Sequence, residues 1–106
     1  MRTIEIGLAG TVSAVDVERA LAVTCAEMGL RIGLKSTLAS YPGSLHWHLT
    51  REDQRGTLEV TFVPQPTRMW IAVHANRQSS WTDEAVARFP VLLQRSLAQP
   101  ASEETT

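Results

Sequence analysis

Residues 45–74 read LHWHLTREDQRGTLEVTFVPQPTRMWIAVH, and this stretch decides the fold. Apolar and polar positions alternate with period two in three runs: Leu45 to Thr50, Thr57 to Val63, and Arg68 to Ala75. Successive side chains of a strand point to opposite faces, so each run reads as a strand with one apolar side. Arg51-Glu52-Asp53-Gln54-Arg55-Gly56 makes a charged turn closed by glycine. Pro64-Gln65-Pro66-Thr67 allows only a tight connection, because proline cannot donate to a ladder.

Two tight turns suggest a register for this meander, with slips of two residues left open by the alternation. If Arg51 opposes Gly56, His48 faces Glu59, His46 faces Thr61 and Thr50 faces Thr57, while Trp47 meets Val60 on the other side. If Val63 opposes Arg68, Trp70 faces Thr61, Ala72 faces Glu59 and His74 faces Thr57. Both registers keep apolar with apolar, a real constraint, since a one-residue slip would turn a whole strand over.

Upstream, Ile4, Ile6 and Leu8 alternate with Glu5 and Gly7 in a short first strand. Ser13 can cap a helix, with Asp16 three residues on and Val12 and Val17 placed for a hydrophobic staple. Val17, Leu21, Thr24 and Met28 follow at helical spacing, and Ala20 widens the stripe. Gly29 supplies a left-handed stop, behind which Leu30 folds back. Leu30, Ile32 and Leu34 then alternate as a second strand that extends towards Leu38, and Ser40-Tyr41-Pro42-Gly43-Ser44 is a turn by composition.

Downstream, a last helix starts near Ser79-Ser80, with Asp83 and Glu84 in its first turn, where the helix dipole favours acids. Trp81, Ala85, Phe89, Leu92, Leu93 and Leu97 make its stripe. Pro90 stands within it and predicts a kink or break near Val86–Phe89. The segment from 99 to 106 is polar and acidic and reads as a flexible tail beyond a single domain spanning 1–98.

The fold class is therefore α+β: one antiparallel five-stranded sheet in the order β-α-β-β-β-β-α, with both helices on one face. This element order resembles one repeat of the TATA-box-binding protein family and the smaller helix-grip folds, where a curved sheet wraps a long carboxyl-terminal helix. The resemblance covers topology and no sequence motif, so it carries over no functional residue.

Composition narrows the function classes. An apolar fraction of 43% supplies a core, and a domain of this size buries about two-thirds of its unfolded surface. Ten basic residues against eleven acidic ones give a net charge of −1. No basic stripe marks a phosphate reader, so nucleic acid is disfavoured. A single cysteine, Cys25, leaves no intrachain disulfide, and its place in a helix reads as a small buried hydrophobe. The amino-terminal run reads as a strand rather than a signal peptide, and no apolar run reaches the length of a membrane span. A cytoplasmic protein with no membrane association is expected.

The polar face of the sheet holds what chemistry the chain has. It gathers His46, His48, His74, Glu59, Thr61 and Trp70. The first reading is a small non-catalytic binding or protein-interaction module, with Trp70, His46, Thr61 and His74 taking a small apolar ligand or a protein partner. The second is a metal-dependent or acid–base enzyme at His46, His48 and Glu59, since histidines at i and i+2 with a carboxylate opposite suit zinc. On the plain alternative, His48 and Glu59 are a surface cross-strand pair. A third reading is a homodimer that buries this face or an edge strand. No nucleophile stands in a strand–elbow–helix context, and no glycine-rich phosphate loop is present. Trp47 and Trp81 read as core residues.

Overall fold

Alternation and turn chemistry build the sheet as the sequence implies. The structure, a computed structural model, describes residues 1–99. Its strands are β1 (Arg2–Ile6), β2 (Arg31–Ser36), β3 (Leu45–Thr50), β4 (Leu58–Val63) and β5 (Arg68–Val73). Helix α1 (Ala14–Met28) follows β1, and helix α2 (Ser80–Leu97) follows β5 after a single 3-10 turn at Ala75–Arg77. The sheet is antiparallel throughout, in the order β1-β5-β4-β3-β2. The expected tail falls, from residue 100 onward, outside the described residues.

Both meander registers are those read from the turns. His46 opposes Thr61, Trp47 opposes Val60 and His48 opposes Glu59. Glu59 opposes Ala72, Thr61 opposes Trp70 and Val63 opposes Arg68. The ladder ends sooner than expected, at Leu49 with Leu58, so Thr57 faces neither Thr50 nor His74 in register. Its N–H instead donates to the Arg77 carbonyl at 3.0 Å, where the chain has already left β5 for the 3-10 turn.

Helix α1 is capped as its sequence prescribes. The Asp16 N–H donates to Ser13 Oγ at 3.1 Å. Gly29 ends the helix at φ 67°, and the Leu30 N–H returns to the Cys25 carbonyl at 2.8 Å. Helix α2 runs through Pro90 as one continuous element, so of the kink or break expected near Val86–Phe89 the break does not occur. The proline withholds one backbone bond from the Val86 carbonyl. Phe89 and Leu93 are fully buried on either side of it, and hold both halves of the helix against one core.

That core lies on a single face of the sheet. Trp47, Leu49, Leu58, Val60, Phe62, Met69 and Ile71 meet Val17, Leu21 and Cys25 of α1 and Ala85, Phe89 and Leu93 of α2 in one buried cluster. Fully burying a side chain such as Phe62 or Leu93 contributes about 1.5–3 kcal/mol. Trp81 is buried too, and its indole N–H donates to the Arg55 carbonyl at 2.7 Å, tying the start of α2 to the β3–β4 turn. The two helices also pack on each other, so the opposite face of the sheet is left without a helix.

Strand β2 departs from simple alternation. Its pairing with β3 shifts between Ile32 and Lys35, a bulge that reverses parity. Lys35 therefore opposes Trp47 and reaches Glu18 of α1 at 3.0 Å, while Ser36 opposes His46 on the polar face. Gly33 stands in the bulge, where an added Cβ would lie 3.2 Å from the His48 carbonyl oxygen. A bulge at an edge strand blunts its capacity to pair with another chain. Among the described residues no helix is long and apolar enough to cross a membrane.

Candidate metal centre and adjoining groove

Glu59 is the hub of the polar face. The central strand β4 carries it between His48 on one side and Ala72 on the other. Its Oε1 lies 3.2 Å from His46 Nε2 and 3.9 Å from His48 Nε2. Its Oε2 lies 3.0 Å from His74 Nε2. Thus all three histidines of the chain converge on one carboxylate. The two strand histidines are stacked edge to face, with ring centroids 5.1 Å apart.

Each of these side chains is positioned by a neighbour. His46 Nδ1 and Thr61 Oγ1, cross-strand partners, are 2.8 Å apart. His46 is 8% exposed and Thr61 1%, so both are buried although they lie outside the apolar core. Burial pushes the His46 imidazole pKa below its ordinary value; the Glu59 carboxylate opposes that shift without cancelling it. Neutral imidazole is the form that binds a metal. His74, by contrast, is half exposed, on the residue that leads out of β5 into the 3-10 turn.

The donor atoms of His46, His48 and Glu59 all lie within 4.8 Å of one another, so the three could hold a metal ion. Tetrahedral ligands at zinc–nitrogen and zinc–oxygen distances of about 2.0–2.2 Å stand about 3.3–3.5 Å apart. The 3.2 and 3.9 Å separations bracket that edge length. Ligation through His46 Nε2 leaves Nδ1–H to donate to Thr61 Oγ1. Ligation through Glu59 Oε1 leaves Oε2 to accept from His74 Nε2–H. Outer partners of this kind fix tautomer and orientation in metal sites.

Trp70 lies beyond this cluster on the same face and is half-buried. The Tyr41 ring meets it edge-on at a centroid distance of 5.2 Å. The Arg68 guanidinium sits 5.0 Å from its ring centre. Glu5 grips that guanidinium through two bonds, 3.1 and 2.9 Å, and lowers its own carboxyl pKa by doing so. An open-sided groove of ≈ 380 Å³ runs along the face from His46 and Glu59 past Ala72 and Leu38 to Tyr41 and Trp70.

The structure thus brings together His46, His48, Glu59, Thr61 and His74, and sets Trp70 at the far end of the groove. Arg68 and Tyr41 are the members that sequence reasoning missed. Arg68 was within reach, since it shares the parity of Trp70 two residues away. Tyr41 was not: it sits in the β2–β3 loop, where no period indicates a direction. That loop is braced by the Leu38 N–H donating to Ser44 Oγ at 3.0 Å.

No protein-family model, curated protein or solved structure matches this chain. What bears on function is therefore the site itself.

Proposed function

We propose that this protein is a metal-binding module, taking one divalent transition ion, zinc by ligand type, at His46, His48 and Glu59. One observation carries the reading: imidazole nitrogens of His46 and His48 lie 3.2 and 3.9 Å from one oxygen of the carboxylate on the adjacent strand, with all three donor atoms within 4.8 Å of one another. Two nitrogen ligands and one oxygen suit zinc better than calcium or magnesium, which favour all-oxygen shells. Thr61 and His74 support it as outer partners of His46 and Glu59.

Two alternatives for this face are weaker. A non-catalytic apolar platform at Trp70 alone would leave the cluster of His46, His48 and Glu59, at the other end of the same groove, without a role. Surface pairing alone would leave two strand histidines and a shielded carboxylate, 15% exposed at the side chain, clustered without a bound cation.

Isothermal titration of the tag-free protein with zinc tests the proposal. One zinc per chain is expected, with binding lost in Glu59→Gln and His46→Ala. It should be retained in a control far from the site, such as Arg88→Ala on α2. Zinc uptake that is absent, or unchanged by both site substitutions, would overturn it.

A further inference from the structure

Three protein ligands leave a tetrahedral ion one position short, the arrangement of zinc sites that bind water or substrate rather than of closed structural ones. We infer that this position takes the carboxylate of a small organic monoanion whose apolar body lies along the groove towards Trp70. The inference rests on the metal reading above and names the ligand class of that site.

Charge selects the head group. A dication, two neutral imidazoles and one carboxylate leave a single net positive charge. Of the charged side chains farther along the groove, Glu5 and Arg68 cancel each other through their two hydrogen bonds. A monoanion therefore neutralises the ion and its three ligands, and a dianion would overshoot them.

Shape and lining select the body. The groove begins at His46 and Glu59, two of the three ligands. It continues over Ala72 and Leu38 to the paired rings of Tyr41 and Trp70. A volume of ≈ 380 Å³ lies near the lower end of ligand-sized clefts, which span about 300–1,000 Å³. A single-ring aromatic acid or a short branched one matches this volume with its carboxylate on the ion. Arg68, held by Glu5 against Trp70, stiffens the far wall.

The test uses cobalt(II) in place of zinc, because its visible absorption reports a change in coordination. Acetate and benzoate are titrated into the cobalt-loaded full chain. Both are expected to shift the cobalt bands, with benzoate half-saturating at a concentration about tenfold lower. Trp70→Ala should reduce that preference to threefold or less. Tyr41→Ala, a change at a loop residue, should reduce it likewise and decides the matter where Trp70→Ala does not fold. Stoichiometric cobalt with bands that neither acid moves, or equal half-saturation by both acids, overturns the groove inference and leaves the metal site standing. Failure to bind cobalt at all overturns both.

Discussion

Thr61 shows how much a single hydroxyl contributes at this site. It is buried, it stands 2.8 Å from His46 Nδ1, and it faces that histidine across the ladder. Loss of an outer partner of this kind costs about 10–100-fold in metal affinity. Thr61→Val keeps the volume and removes the hydroxyl, so zinc is expected to bind one per chain but about 10–100-fold more weakly, as titration calorimetry would report. Unaltered affinity would remove Thr61 from the site. Cys25 makes the opposite point. Burial pushes its thiol pKa up to about 12, and it is 2% exposed on the core side of α1. At pH 8 its thiolate fraction is then roughly one in ten thousand, and the thiolate is the reactive form. An aromatic disulfide reagent should label it only after denaturant is added; prompt labelling of the folded protein would contradict that placement.

At the scale of the element, turns and helix ends show where the fold is sensitive. Gly56, at φ 111°, closes the β3–β4 connection. A Cβ there would lie 2.7 Å from Ser79 Oγ and 3.1 Å from both the Arg77 carbonyl oxygen and Trp81 Nε1. Gly56→Ala is expected to destabilise by about 1–3 kcal/mol, combining backbone strain with a displaced neighbour. Urea denaturation measures it, and a neutral substitution would mean that the turn is not held against α2. Pro90 is the reverse case. Alanine is favoured over proline within a helix by about 3 kcal/mol, so Pro90→Ala should raise the midpoint of unfolding, provided α2 has not bent to suit the ring. The meander was legible because two short turns bind register to hydrophobic alternation: Trp47 cannot meet Val60 without His48 meeting Glu59. The bulge of β2 was not legible. Ile32 and Lys35 come to lie on one side because the pairing with β3 slips by one residue between them, and no alternation in the sequence records that shift.

Across the whole molecule, the two faces of one sheet divide the work. Helices α1 and α2 cover one face and build the core, while the other presents a carboxylate ringed by histidines. Because strand order brings β3, β4 and β5 side by side, residues 46, 59 and 74 meet although far apart in sequence. Parity put His46, His48 and Glu59 on one face, and the Arg51–Gly56 turn set them side by side. Neither foretold that His46 would be buried, or that Tyr41, in a loop without a period, would reach Trp70. Zinc that binds only the folded chain should stabilise it by about 2.7 kcal/mol at a hundredfold excess over Kd. For a domain of this size each kcal/mol moves Tm by about 4–8 °C. An upward shift of roughly 10–20 °C is therefore expected, and none in Glu59→Gln.

The most direct measurement follows the imidazole nitrogens of the ¹⁵N-labelled protein by NMR as zinc is added. Nε2 of His46 and of His48 should move to metal-bound shifts at one equivalent, with Nδ1 of His46 protonated and His74 unligated. Signals from the strand histidines that stay in place while zinc saturates elsewhere, or not at all, would contradict the account.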